Sequence, residues 1–251
     1  MRALRPIALI TGGSRGIGAA TAILLAEQGY DICISYRERS AEADKIAEAC
    51  EAFDVEAIAV QADISREEDI ERLFSELDKR QGSLNALVNN AGMLMPQTRV
   101  ENLSAGRINK ILQTNVTGTL LCCREAVRRM STEHGGNGGA IINVSSGAAR
   151  SGSPNEYVDY AASKGAVDTL TIGLSKEVAR EGIRVNGVRP GFIYTEMHAD
   201  GGEPDRVERL KSAIPLGRGG YDREVAQAIA WLISDKASFS TGTFIDISGG
   251  L

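Results

Sequence analysis

Apolar residues along the chain fall into two alternating kinds of segment. Short, nearly unbroken apolar runs occur at 7–11 (IALIT), 31–36 (DICISY), 55–60 (VEAIAV), 84–89 (LNALVN), 140–145 (AIINVS), 183–188 (IRVNGV) and 243–247 (TFIDI). Between them, near 17–28, 40–52, 66–80, 103–131, 157–181 and 222–234, the pattern is amphipathic. The short runs have the length and composition of strands buried on both faces, and the longer stretches have helical spacing. Such strands, separated by helices, form a parallel sheet covered on both sides. The pattern therefore predicts an α/β fold: one doubly wound domain over 1–251, with a seven-stranded parallel sheet and helices on both faces.

Punctuation refines this picture. Ser65 followed by Glu68 predicts a capping box at the start of the third helix. Gly29 and Gly182 stand where helices should stop. EHGGNGGA (133–140) reads as a surface loop. The stretch 190–206 is long for a strand-to-helix connection, and loops of that length often act as lids. No repeat or low-complexity linker divides the chain.

Composition narrows the partners. The 251 residues are 43% hydrophobic and 24% charged, with 28 basic against 33 acidic residues and a net charge of −5. Without a basic tract, nucleic acid and anionic membrane are not expected partners. No apolar run reaches the length of a membrane span. The start, MRALRPIALITGG, flows into glycines and reads as a strand rather than a signal peptide. Cys33, Cys50, Cys122 and Cys123 lack metal-ligand spacing, so reduced thiols and a cytoplasmic location are expected. With His134 and His198 the only histidines, no metal site is expected.

Two stretches carry candidate chemistry. TGGSRGIG (11–18) follows the first strand and opens the first helix, placing Gly12, Gly16 and Gly18 in a G-x-x-x-G-x-G spacing. Glycines there let the backbone approach a pyrophosphate at a helix N-terminus, the arrangement of a Rossmann dinucleotide site. A tight turn without a ligand is the alternative. The second strand ends Ser35-Tyr36-Arg37, with no acid to receive a ribose hydroxyl. Arg37 and Arg15 could instead clamp a 2′-phosphate, which favours NADP(H), with NAD as the alternative. In YVDYAASK (157–164), Tyr160 and Lys164 are four apart and share a helix face. That pairing also occurs on ordinary surface helices.

Taken in order, TGGSRGIG, Asp63 in AD (62–63), NNAG (89–92), Asn115 in TNVTG, Ser146 in NVSS, YAASK (160–164), Pro190-Gly191 and the FIDISGG terminus resemble the short-chain dehydrogenases/reductases over essentially the whole chain. The resemblance implies an oxidoreductase that exchanges a hydride between NADP(H) and a carbonyl or alcohol. It implies Tyr160 as acid/base, Lys164 as its partner and ribose ligand, Ser146 as substrate orienter, and Asn115 as anchor of a proton-relaying water chain. It further implies cofactor contacts at Gly12, Ser14, Arg15, Gly16, Ile17, Gly18, Asp63, Ile64, Asn90, Ala91, Gly92, Pro190, Gly191, Ile193 and Thr195. The ammonium of Lys164 and the oxidised nicotinamide should both lower the phenol pKa from about 10. A homotetramer is implied as well, built through the helices at 103–131 and 157–181 and the C-terminus.

The substrate is less determined. The chain resembles bacterial glucose 1-dehydrogenases and 3-oxoacyl carrier-protein reductases. At the positions where the latter dock their acidic carrier stand Asn137 and Glu181, although Arg180 and Arg184 lie near. Arg150, Glu156, Tyr157, Tyr194, Met197 and His198 are candidate substrate contacts, and their mixed polarity suits a small oxygenated molecule such as a sugar. A non-catalytic NADP-sensing protein is the alternative of another class, disfavoured by the intact Ser146, Tyr160 and Lys164.

Overall fold

Along strand β1 (Ile7–Ile10) alternate side chains enter two different cores. Ala8 and Ile10 point to one face of the sheet, Ile7 and Leu9 to the other, and all four are buried. The same division explains why strands read as continuous apolar runs: neither face meets water. The computed structural model describes residues 5–80 and 82–251. After β1 come α1 (Gly16–Glu27), β2 (Asp31–Tyr36), α2 (Ser40–Glu51), β3 (Ala57–Gln61), α3 (Glu67–Asp78) and β4 (Leu84–Asn89). The second half continues through α4 (Ala105–Leu112), α5 (Thr119–Met130), β5 (Gly139–Val144), α6 (Ala148–Ser151), α7 (Val158–Glu177) and β6 (Ile183–Pro190). It ends with α8 (Met197–Asp200), α9 (Arg206–Leu210), α10 (Asp222–Ile233) and β7 (Phe244–Ile247).

All seven strands are parallel, in the order β3-β2-β1-β4-β5-β6-β7. Helices α1, α2 and α10 cover one face around Leu25, Ile34, Val88 and Ile229. On the other face α3 and α5 pack Leu73, Phe74, Cys122 and Met130 against Leu9, Leu87 and Ile141, with the α7 side closed by Val178. The winding reverses between β1 and β4, which opens a crevice at their C-terminal ends where such folds bind ligands. The four cysteines are free and buried. Burial pushes the Cys33, Cys50 and Cys123 thiols up to about 12, and Cys122 upward too. Among the described residues no helix is long and apolar enough to cross a membrane, and no cluster of His, Cys, Asp and Glu could hold a metal.

Several boundaries differ from the periodic pattern. The helix expected over 103–131 is α4 and α5 joined by a π-helical segment, Gln113–Gly118. That wider turn centres on Asn115, and Thr119 Oγ1 donates 2.8 Å to the Asn115 carbonyl. Gly118 sits where the segment crosses the turn after β3; a Cβ there would lie 2.4 Å from the Ile64 carbonyl oxygen. The capping box at Ser65 and Glu68 does not form. Asp63 organises the turn by accepting from the Ser65 amide at 2.9 Å, and Asp69 reaches back to the Asp63 amide at 2.9 Å. The helix begins one residue later, after an extended Arg66 that makes no side-chain cap. Helix α7 stops at Glu177, with a 3-10 turn at Ala179–Glu181 before Gly182. The long connection 190–206 contains α8 and leads into α9.

Candidate active site

The crevice is floored by the turn between β1 and α1. Gly12 and Gly16 adopt positive φ, +64° and +50°, and a Cβ on Gly18 would collide with the Gly12 carbonyl at 2.4 Å. Thr11 and Asn90 brace this turn. The Thr11 hydroxyl accepts from the amides of Asn90 and Ala91 at 3.1 and 3.0 Å, and Asn90 Nδ2 donates to the carbonyls of Thr11 and Gly12 at 3.0 Å. Ser35 Oγ accepts from the Gly12 amide at 3.3 Å. The cleft holds about 490 Å³, and Gly12, Ser14, Arg15, Gly16, Ile17, Arg37, Asp63, Ile64, Asn90, Ala91, Gly92 and Thr195 line it. A turn shaped by glycines at the N-terminus of a helix, opening on a cleft of this size, fits the pyrophosphate of a dinucleotide.

Beside it, α7 presents Tyr160 and Lys164, and the loop after β5 presents Ser146. Tyr160 is 9% exposed and its hydroxyl interacts with Ser146. Lys164 is 4% exposed; its Nζ donates 2.7 Å to the Val144 carbonyl and stands 5.7 Å from the Tyr160 ring centre. A Cβ on Gly92 would meet both Lys164 Nζ at 3.5 Å and Asn115 Oδ1 at 3.4 Å, so the loop after β4 closes the group. Asn115 accepts from the Met93 amide at 2.8 Å and donates to the Met93 carbonyl at 3.1 Å and to Ser163 Oγ at 3.0 Å. Ser163 in turn donates to the Tyr160 carbonyl at 2.7 Å. The side chain of Asn115 therefore fastens the β4 loop to the tyrosine helix. A buried ion pair reinforces the junction: Arg107 Nε lies 2.6 Å from Asp159, whose carboxylate also accepts from the Tyr160 amide at 2.9 Å.

Electrostatics in the free protein run against the sequence expectation of a depressed phenol. Burial pushes the Tyr160 pKa up, and the Ser146 hydroxyl pulls it back only in part. Lys164 feels the same burial, which lowers its ammonium to about 8 against the pull of Asp168. With Nζ turned to the Val144 carbonyl, the lysine does not lower the phenol; that effect would need the positive nicotinamide or a shift of Nζ.

The remaining site residues divide. Ile193 is buried in the core, so only its backbone could face a ligand. Pro190 ends β6, and the Gly191 amide is bonded to the Ile247 carbonyl. Arg37 Nε donates 2.9 Å to Glu38, and Arg15 pairs with Asp200 and, at 3.6 Å, with Glu196. Of the six candidate substrate contacts, Met197 lines the cleft, Arg150 turns to Asp246 at 2.6 Å, and Tyr194 donates to Glu208 at 2.7 Å. Glu156 pairs with Arg206, which is 6% exposed, bound to Glu203 at 2.7 Å, and held 4.9 Å from the Tyr157 ring centre. The His198 ring bonds to the Ile193 backbone. These contacts tie the end of the long 190–206 connection to the start of α7. Sequence reasoning missed the braces Thr11, Ser163 and Asp69, and missed Arg39 and Lys110, which line the cleft. The basic residue two past Arg37 was a readable signal; the braces were not, because their partners are distant in sequence.

Known proteins place this arrangement in context. A family model described as Enoyl-(Acyl carrier protein) reductase matches residues 12–251. An uncharacterized oxidoreductase of Escherichia coli, YgfF, is 62% identical, with 97% of this chain and 99% of that protein aligned. A 3-oxoacyl-[acyl-carrier-protein] reductase, FabG, of Staphylococcus aureus is 35% identical over 97% of each. The crystal structure of a short chain dehydrogenase from Burkholderia cenocepacia in complex with NADP superposes with a TM-score of 0.89 at 30% identity, covering 100% of this chain and 99% of that one. Fold, cleft and relatives agree: the chain is an oxidoreductase and belongs to the short-chain dehydrogenase/reductase family.

Proposed function

We propose that the protein exchanges a hydride between NADP(H) and the carbonyl or alcohol carbon of a small oxygenated substrate, with Tyr160 as the acid/base. The observation that supports this most is the gathering of Tyr160, Ser146 and Lys164 beside a glycine-floored cleft. When bound, the nicotinamide would supply or accept the hydride. In the reducing direction the Tyr160 hydroxyl gives its proton to the carbonyl oxygen while Ser146 orients that oxygen. In the oxidising direction Tyr160 takes the alcohol proton. Lys164 holds the ribose, and Asn115 with Ser163 keeps the tyrosine helix in place. The amides of Ser14 to Gly18 cradle the pyrophosphate, Asp63 and Ile64 flank the adenine, and Arg15, Arg37 and Arg39 receive the 2′-phosphate. The backbone of Ile193 together with Thr195 would hold the carboxamide and phosphates.

A small substrate, such as a sugar or short carbonyl compound, fits a lid latched by the paired Arg206, Glu156 and Glu203. The likeness to FabG supports a carrier-linked acyl substrate as the second reading. Against it, Arg184 is spent on the C-terminus of α10, donating 2.6 Å to the Leu232 carbonyl and 2.8 Å to that of Ile233. Arg180 alone then remains near Asn137 and Glu181 to meet an acidic carrier. A homotetramer in the cytoplasm completes the proposal.

The test is turnover of NADPH on a panel of aldehydes, ketones, sugars and 3-oxoacyl thioesters, comparing two variants at saturating cofactor. Tyr160→Phe should lose about 10²–10⁴-fold in rate, the usual contribution of a general acid, while still binding cofactor. Tyr157→Phe should change the rate far less. An active Tyr160→Phe beside a dead Tyr157→Phe would assign the chemistry to the other tyrosine.

A further inference from the structure

The lid meets the glycine turn through charge. Arg15 Nη2 donates to Asp200 at the end of α8, and Glu196 Oε2, just before that helix, lies 3.6 Å from Nη1. Arg15 Nη1 is buried without a hydrogen-bond partner among the described residues. One guanidinium at this corner thus faces two carboxylates, which more than offset its own charge, while Arg37 and Arg39 stand elsewhere in the cleft. Glu196, Asp200, Arg15, Arg37 and Arg39 all line the one cleft.

A 2′-phosphate would bring up to about two further negative charges to that corner. It would find one side of the arginine fork occupied by Asp200 and a second carboxylate beside the other. We infer that Glu196 and Asp200 are specificity-determining residues: they compete with a 2′-phosphate for Arg15, and so narrow the preference for a phosphorylated over an unphosphorylated dinucleotide. This rests on the proposed role of Arg15 as a phosphate ligand. Linkage makes the coupling reciprocal. A phosphate that takes Arg15 frees the tip of α8 from the glycine turn, while the Arg206 latch at the far end of the lid is untouched.

The test is titration of the full-length protein with NADPH and with NADH, followed by nicotinamide fluorescence, for the unmodified chain, Asp200→Asn, Glu196→Gln and the double variant. Both side chains are exposed, 42% and 56%, so the fold should be unaffected. Each substitution should tighten NADPH about 3–10-fold, as expected for removing a like charge at short range near the surface. NADH, which shares the pyrophosphate but lacks the 2′-phosphate, should change less than about twofold, and raised salt should erase the gain. Equal affinity for both cofactors in the double variant as well as in the unmodified protein would remove the phosphate role of Arg15 itself. A clear NADPH preference in that protein, left unchanged or reduced by both substitutions, would overturn the competition alone.

Discussion

Lys164 shows what the site costs the fold. Its ammonium is buried with one carbonyl partner, and burial brings its pKa from 10.5 to about 8. Below pH 8 the folded and unfolded chains are both charged there, and the folded one bears the desolvation. Above that the folded chain releases its proton first, so this residue's contribution to stability rises with pH until about 10.5. The displacement corresponds to roughly 3 kcal/mol, and losing the Val144 hydrogen bond offsets part of it. Lys164→Met should therefore be more stable than the unmodified protein near neutral pH by about 1–2 kcal/mol in urea unfolding, with turnover lost. That advantage should shrink between pH 8 and 10. Greater stability of the unmodified chain at pH 7 would show that the buried ammonium is well compensated. The identity of these residues was legible in the sequence because YAASK, NVSS and NNAG are local strings. The upward push on the Tyr160 phenol was not, since it depends on how completely the surrounding chain excludes water.

At the scale of elements, the π-helical segment ties two parts of the cleft together. It widens the backbone at Asn115, whose amide grips Met93 and Ser163, and it brings Gly118 against the turn carrying Asp63 and Ile64. Gly118→Ala would place a carbon 2.4 Å from the Ile64 carbonyl oxygen, a backbone atom that cannot rotate away. Overpacking of that kind costs about 1–3 kcal/mol. The variant should unfold at lower urea and, because the Ile64 turn lines the cleft, should also bind NADPH more weakly; unaltered cofactor affinity would separate this contact from the site. Strand positions were readable from apolar runs to within two residues, since burial on both faces leaves a strong pattern. The π turn was invisible, because one extra residue per turn barely disturbs the spacing of apolar positions over 103–131. The capping box at Ser65 failed for a related reason. A carboxylate at Asp63 competes for the same turn amides, and the Asp69 carboxylate takes the amide of Asp63 itself.

For the whole molecule, α5 and α7 each leave a large apolar side chain exposed among polar ones. Leu120 is 46% exposed and Ile172 42%, and a Cβ added to Gly165 or Gly173 on α7 would meet nothing. Exposed apolar side chains beside glycines with open space suit a self-complementary interface about a two-fold axis. Light scattering at micromolar concentration should give a mass close to four times the 26.7 kDa chain; a single-chain mass would refute the assembly. The parallel sheet and its reversal between β1 and β4 were inferable from alternating segments, whereas the ion pairs that latch the lid, Arg206 with Glu156 and Arg15 with Asp200, join residues 50 and 185 positions apart and leave no local trace. The buried cysteines have a practical consequence. All four thiols are shielded and held far from ionisation, so alkylating dyes have no native target in the folded protein. A single cysteine engineered at exposed Ala199 on α8 would be the sole reactive thiol, making the lid a place where a fluorescent reporter could be attached without first stripping the molecule of its own sulfur.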